Sequence, residues 1–444
     1  MNVRDSDEMG AILEGAGFKS TDHPQNADLI ILNTCSIREK AAQKVYSQLG
    51  RFSGLKRQNP GLIIGIGGCL AQQWGENFLK KAPCLDLVFG TQRIRQLPEL
   101  VGKVEKCRRP VVDTAFQDAG ACGSVQPLPK KGQVGAYVTI MRGCDNFCSY
   151  CIVPYLRGSE ESREPADILA ELAVLAEQGI KEVTLLGQNV NSYGKTLRPR
   201  RHFHDLIREI ALTEKIERLR FTTSHPKDLS PELIRSFAEV NKMCEHIHLP
   251  VQSGSDKVLR AMNRGYKKVD YLKKVEQLRE SCPGISVTSD IIVGFPGESD
   301  ADFEETIDLM EKVRFDNLFS FKYSERPGTT AAKLEQKVGE RVKSDRLKFL
   351  QLLQERHTLE KNQALVGKVV EVLVEGISRN STGEIMGRTR TNKIVNFKGG
   401  MELLGETLSV TIKSAYQHSL RGELSLNKGE NIDVHRSQGI GTDH

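Results

Sequence analysis

Between Arg142 and Cys151 the chain reads Arg-Gly-Cys-Asp-Asn-Phe-Cys-Ser-Tyr-Cys, which separates Cys144, Cys148 and Cys151 by three residues and then by two. Any fold that carries this loop must bring three thiols together. Three thiolates hold three corners of a cubic 4Fe-4S cluster and leave the fourth iron without a protein ligand. Clusters that only transfer electrons are normally held by four cysteines. A three-ligand cluster can instead chelate a substrate or cofactor, much as a catalytic zinc site keeps one position open. The competing readings are a structural zinc knot or plain buried thiols. Neither Cys nor His follows at knuckle spacing, the next cysteine being Cys244, so the cluster is the expectation.

A chain of 444 residues has room for roughly two to four domains. With 39% hydrophobic and 27% charged residues it has the make-up of a globular protein. No apolar run of membrane-spanning length and no signal-peptide pattern occurs, so no membrane partner is expected and the location is expected to be cytoplasmic. Ten cysteines in an unexported chain favour metal ligands over disulfides. The formal charge of +6, from 63 basic and 57 acidic residues, permits a polyanionic partner without requiring one. The cluster Arg198-Pro-Arg200-Arg201 reads equally as solvated surface or phosphate contact.

Short apolar runs alternate with amphipathic stretches over the first ~110 residues, the pattern of an α/β layer. Asp28–Asn33 reads as a strand presenting Cys35, Leu62–Gly67 as one ending at Cys69, and Leu85–Phe89 as a third. Strand ends of this kind are where such folds place ligands. From Gln133 to about Glu325 six further strands are expected, at Tyr137–Arg142, Glu182–Gly187, Leu219–Thr223, His246–Pro250, Val287–Val293 and Asn317–Tyr323. Helices such as Ala166–Gln178 and Ala301–Val313 separate them, giving an open (β/α)6 barrel whose first strand delivers the cysteine loop to the top face. An amphipathic helix around Val342–Gln354 leads to a region of strand periodicity from Leu365 to Ser425. There Leu408, Val410 and Ile412 alternate with Thr407, Ser409 and Thr411, as in a small all-β barrel. From about Asn431 the chain has little to bury.

The cysteine loop continues through Pro154, Tyr155, Arg157, Gly158, Ser162 and Arg163, and the whole run resembles the methylthiotransferase branch of the radical S-adenosylmethionine enzymes. The resemblance implies three blocks. Residues 1–115 would be a flavodoxin-like α/β domain with its own 4Fe-4S cluster, 130–360 the open radical barrel and 363–428 an RNA-binding β-barrel called TRAM. Residues 429–444 would be a disordered tail. Five stretches match the members that act on isopentenylated adenosine in tRNA: Gly187–Tyr193, Thr223–Pro226, His248–Gly254, Asp290–Glu298 and Gly387–Phe397.

What the resemblance implies is conversion of N6-(dimethylallyl)adenosine beside the anticodon to its 2-methylthio derivative. Two molecules of S-adenosylmethionine would be used, one to methylate a sulfur of the N-terminal cluster and one to yield a 5′-deoxyadenosyl radical at the barrel cluster. Cys144, Cys148 and Cys151 would hold the radical cluster, and Cys35 and Cys69 two irons of the other. Both clusters must face one cavity, so the N-terminal domain would cap the barrel. The expected partners are a tRNA anticodon stem-loop and an electron donor such as flavodoxin or ferredoxin, with the chain a monomer. The alternatives are a methylthiotransferase acting on threonylcarbamoyl-adenosine or a ribosomal protein, and, more remotely, an RNA-binding protein with a structural Cys site.

The third ligand of the N-terminal cluster normally precedes a Met-Asn pair by two residues. Met1-Asn2-Val3-Arg4 resembles the residues just after it, so the first strand and first ligand are expected to be missing, through a late-assigned start or a shortened sequence. Loss of an interior strand would cost pairing along the sheet. Cys84, Cys107, Cys122, Cys244 and Cys282 are read as inert thiols.

The matching stretches also have a reading of their own. Gly187 permits close backbone approach, and Gln188 and Asn189 offer amides to a ribose or carboxylate. Gly294, Pro296 and Gly297 form a tight turn after a strand. With Ser224, Gln252 and Asp290, the residues Gly187, Gln188, Asn189 and Gly294 are expected to wall in S-adenosylmethionine. His225 and His248 are read as hydrogen-bonded rim residues, because radical hydrogen abstraction needs no side-chain base to generate its oxidant. No catalytic residue is expected beyond the cluster cysteines.

Overall fold

The computed structural model describes residues 1–35, 39–116, 129–130, 132–378 and 383–425. Cys122, the segment 36–38 that follows Cys35 and the expected tail lie outside them. The chain divides into two compact units. The first runs from Met1 to Thr358 and includes Arg390–Asn392; the second holds Leu359–Thr389 and the residues from Lys393.

The first unit opens with helix α1 (Asn2–Gly15), followed by β1 (Leu29–Thr34), α2 (Glu39–Gln58), β2 (Ile63–Gly68) and α3 (Cys69–Trp74). Strand β3 (Leu87–Phe89), helix α4 (Leu97–Cys107) and β4 (Val111–Asp113) complete this part. The strands are parallel and lie in the order β1-β2-β3-β4. A parallel sheet is covered on both faces, so its strands read as continuous apolar runs, and all six residues of β2 are buried. Ile64 and Ile66 face one core and Ile63 the other, where α1 and α4 contribute Met9, Leu97 and Leu100. The expected loss of pairing does not occur. β1 and β2 pair residue for residue, from Leu29 with Ile63 to Thr34 with Gly68.

Six parallel strands follow: β5 (Gly135–Thr139), β6 (Glu182–Leu186), β7 (Arg218–Phe221), β8 (His246–His248), β9 (Ser286–Val293) and β10 (Asn317–Lys322). They form two three-stranded sheets, β5-β6-β7 and β8-β9-β10, that meet at a Leu219–Met243 bridge. Helices α5 (Pro165–Glu177), α6 (Phe203–Ala211), α7 (Pro231–Glu239), α8 (Lys268–Ser281) and α9 (Asp300–Val313) cover the outside. Successive side chains on a strand point to opposite faces. Val183, Leu185, Leu219, Val287 and Ile291 join the helix-side core, which leaves Glu182, Arg218, Arg220, His248 and Asp290 facing inward. The first barrel strand is shorter than expected. Met141 and Arg142 turn away to pair antiparallel with Ser162 and Glu161, and this turn aims the cysteine loop.

Helix α10 (Glu340–Gln363) buries Leu350 against the barrel core. In the second unit, β11 (Val369–Ile377), β12 (Glu384–Thr389), β13 (Ile394–Lys398), β14 (Thr407–Ala415) and β15 (Leu420–Leu424) close a barrel in the order β11-β12-β13-β15-β14. Val372, Val374, Val395, Phe397, Val410 and Ile412 fill it, while Lys368, Lys398, Lys413 and Arg421 are exposed.

Candidate active site at the cysteine loops

The loop between Gly143 and Cys151 is fixed by its backbone. Gly143 has φ +76°, and a Cβ there would collide with the Ser159 carbonyl. The Cys144 N–H donates to the Gly158 carbonyl at 3.1 Å, and that of Cys151 to the Cys148 carbonyl at 2.9 Å. Ser149 ties the loop to the barrel, donating from N–H to Met262 O (3.0 Å) and from its hydroxyl to Ala261 O (2.8 Å). Burial pushes the Cys144 thiol up to about 11, with Glu160 and Cys148 adding to it. Burial likewise pushes Cys151 up to about 12, helped by the neighbouring Cys148 and Cys144.

Cys144 and Cys151, whose ionisation burial and the neighbouring thiols oppose, form with Cys148 a donor set for a cation, whose charge reverses that preference. Among the described residues no three His, Cys, Asp or Glu side chains converge on a single-ion site. A 4Fe-4S cluster, whose sulfur ligands attach to different irons, fits three thiols on one loop.

Cys148 has two partners that the sequence did not reveal. Arg264 is buried and donates from Nη1 to the Cys148 sulfur (3.4 Å) and to the Tyr150 hydroxyl (3.4 Å), and from Nη2 to the Pro250 carbonyl (2.6 Å). Burial alone would lower its pKa, but Tyr150, Tyr266 and Cys148 hold it charged. His225 Nε2 lies 4.0 Å from the same sulfur. Its Nδ1 accepts the Lys227 N–H at 3.1 Å, so the proton is on Nε2 and faces the thiol. Burial, then Arg264 and Lys227, push His225 down to about 2. The ring is neutral.

The expected cofactor wall occupies neighbouring strand ends. Beyond β6, a Cβ on Gly187 would come within 2.5 Å of Met141 Cγ, and its carbonyl accepts from Thr223 Oγ1 at 2.6 Å. Asn189 donates from Nδ2 to Asp228 at 2.7 Å. Gln188 Oε1, Asn189 Oδ1, Asn191 Oδ1 and, beyond β7, Ser224 Oγ are buried polar atoms with no partner. Such atoms are costly unless a ligand satisfies them. The ammonium and ribose hydroxyls of S-adenosylmethionine are suitable donors.

Thr223 (φ +66°) and Gln252 (φ +74°) sit in the left-handed region, a strain that gathers at binding sites. Gln252 bridges β9 through Asp290 O (2.8 Å) and the Ile292 N–H (3.0 Å). The Asp290 carboxylate lies 3.4 Å from His248 Nε2, whose other ring nitrogen is 3.0 Å from the Thr288 hydroxyl. Gly294 (φ +71°) has its open side filled by Lys343 of α10 and donates its N–H to Glu298 at 2.9 Å. It shapes the end of β9 from behind.

Cys35 and Cys69 follow the paired residues Thr34 and Gly68, so they leave adjacent strands at the same level. Gly68 has φ +90°, and a Cβ there would lie 2.5 Å from Thr34 O. Cys69 packs with Ile152 and Leu156, from the segment just past the barrel triplet. Arg157 donates to Asp5 at 2.7 Å, and its guanidinium lies near Cys69. Thr91 donates to Leu156 O at 2.8 Å. The residues after Cys151 thus form the floor on which Cys69 rests.

Models of three protein families match the chain: the radical SAM superfamily over residues 138–310, the uncharacterized protein family UPF0004 over 1–90, and the TRAM domain over 363–425. The tRNA-2-methylthio-N(6)-dimethylallyladenosine synthase of Syntrophus aciditrophicus is 59% identical over 424 residues, covering 96% of this chain and 92% of that protein. The enzyme of the same name from Geobacter sulfurreducens is 52% identical over 431 residues, covering 97% and 96%. Among solved structures, the radical S-adenosylmethionine methyltransferase TsrM from Kitasatospora setae, with cobalamin and a 4Fe-4S cluster bound, superposes with a TM-score of 0.54. That match has 17% identity and covers 74% of this chain and 71% of that one, a likeness of fold.

Proposed function

The chain belongs to the tRNA-2-methylthio-N6-dimethylallyladenosine synthase family of the radical S-adenosylmethionine superfamily, and we infer from that membership and the site's geometry how its residues serve the reaction. It is a tRNA-modifying methylthiotransferase that replaces the hydrogen at C2 of N6-(dimethylallyl)adenosine by a methylthio group.

Cys144, Cys148 and Cys151 would hold a 4Fe-4S cluster, which when bound would supply the electron for cleavage of S-adenosylmethionine. The protein's work is positioning. Arg264 keeps a fixed positive charge against Cys148, favouring thiolate ligation, and neutral His225 offers that sulfur an N–H. Gln188, Asn189 and Ser224 present unsatisfied polar atoms to S-adenosylmethionine, while Gln252 and Asp290 form the facing strand ends and Gly187 and Gly294 set the backbone. Cys35 and Cys69 would hold two irons of the second cluster. Arg157, from the segment after the barrel cysteines, lies near Cys69, which supports a reading in which the sulfur donor and the radical source face one cavity. An anticodon-loop base is unpaired and can be splayed into it at modest cost.

The reading places the chain in the cytoplasm as a monomer reduced by a flavodoxin or ferredoxin. Among the described residues no helix is long and apolar enough to cross a membrane. The observation that carries the site assignment is Cys148 held between Arg264 and His225, beside strand ends rich in unsatisfied acceptors.

The test is anaerobic reconstitution followed by nucleoside mass spectrometry on stem-loops carrying either dimethylallyl- or threonylcarbamoyl-adenosine. A 2-methylthio product from the first alone is expected; a product from the second alone would overturn the substrate assignment. About eight irons per chain, falling to about four in the Cys144/Cys148/Cys151→Ala variant, would show that Cys35 and Cys69 suffice for a second cluster, whereas about four falling to near zero would show that they do not.

A further inference from the structure

Phe147 stands between two cluster cysteines with φ +44°. A bulky side chain in this region is an outlier, and a residue needed only to turn the chain would cost least as glycine or asparagine. Asn263 holds the strained peptide, donating from Nδ2 to Phe147 O at 3.1 Å and Asn146 O at 3.4 Å. The result is a ring that is 50% exposed. Tyr155, one turn past Cys151, is 47% exposed and meets Phe147 edge to face, with ring centroids 6.0 Å apart and planes at 75°. Phe116, also exposed, lies 3.7 Å from where a Cβ on Gly158 would be. Single exposed apolar residues are ordinary, but here aromatic rings gather on the loop that carries the cluster ligands. An exposed cation is at hand, Lys227, which donates to Asn146 at 2.7 Å.

We propose that Phe147 and Tyr155 are a stacking platform for an unpaired anticodon-loop nucleotide flanking the one modified, holding the target base over the cysteine loop. Every nucleobase has a π-face, and aromatic rings beside a cation are how proteins hold unpaired strands without reading their sequence. The edge-to-face geometry leaves one ring face open, and strain stored at a position is a sign of function. The platform rests on the tRNA assignment above.

The experiment measures the affinity of the reconstituted full chain for a dimethylallyl-modified anticodon stem-loop. A second RNA has abasic residues flanking the target. Phe147→Leu and Tyr155→Leu are each expected to weaken binding about 5- to 150-fold at unchanged iron per chain, and Phe147→Tyr to keep wild-type affinity. On the abasic RNA the wild type should lose a similar factor and the Leu variants nothing further. Wild-type affinity in both Leu variants, or losses that multiply with the abasic change, would overturn the platform. Should Phe147→Leu lose iron, Tyr155→Leu, which lies outside the cysteine spacing, decides by the same criteria. If the Leu variants bind normally while the wild type still makes product, the platform alone fails. Should the wild type bind no stem-loop at all, the tRNA assignment falls and the platform with it.

Discussion

Asp5 and Arg157 lie 152 positions apart and meet in a 2.7 Å ion pair with side chains 3% and 7% exposed. The pair fastens α1 to the turn that follows the barrel cysteines, and the same guanidinium lies near Cys69. Glu171 receives both Arg4 and Arg163 at 2.7 Å, a second buried contact from the same helix.

Asp5→Ala leaves a buried guanidinium without its partner. Loss of one member of a buried pair costs about 3–5 kcal/mol, and the urea midpoint of the full chain is expected to fall accordingly. Replacing Asp5 and Arg157 together by Leu and Met should cost much less. Equal losses in both variants would show that the pair is not coupled.

The glycines that precede Cys69 and Cys144 permit backbone approaches that a Cβ would block. Gly143→Ala therefore combines strain of about 1–3 kcal/mol with displacement of Cys144. Iron per chain should fall toward that of the triple cysteine variant while far-ultraviolet circular dichroism stays unchanged. Gly179, also at positive φ but with nothing near its Cβ position, serves as the control that keeps its iron.

Asp302 caps α9 and accepts from Ser255 (2.7 Å), Lys257 (2.9 Å) and the Ser299 N–H (2.8 Å). Burial alone would raise its pKa, but these hydrogen bonds more than offset that and hold it well below the usual range. A carboxylate with a depressed folded-state pKa contributes stability above its unfolded value, near 4, and the contribution is lost as pH falls. Unfolding free energy measured from pH 6 down to pH 3 should therefore decline less steeply in Asp302→Asn. Parallel curves would refute the assignment.

Thiol labelling separates structural from accessible cysteines. Cys107 is exposed, whereas Cys244 is 1% exposed and burial pushes it up to about 11. In the native protein near pH 8, iodoacetamide should modify Cys107 and leave Cys244 untouched until urea is added. Cys244→Ala should retain full iron.

Much of the fold was legible because its strands are buried on both faces and announce themselves as apolar runs closed by glycine. Ile63–Gly68 is an example. The cysteine loops were equally plain, since spacing alone identified the triplet. Arg264 was not, because an arginine 116 residues from Cys148 carries no local sign that it will be buried. The Asp5–Arg157 contact escaped for the same reason. Gly294 shows a different limit: a turn glycine reveals that a side chain is unwelcome but not from which side. Here Lys343 fills that side. Ile140 was read through as strand because nothing in Tyr137–Arg142 marks the turn toward Glu161.

Helix α1 has a consequence for synthesis on the ribosome. Arg4 must wait for Glu171, 167 residues later, which at about 5–20 residues per second is a delay of about 10–30 s. Until α4 is made, at Leu97–Cys107, the helix lacks its apolar neighbours, and until Glu171 it lacks the ionic partner on the barrel. A purely greasy docking face would be a hazard over such a time, open to capture by other nascent chains. Arg4, Asp5 and Glu8 instead keep the early helix hydrated, and it can latch only when the matching charges emerge.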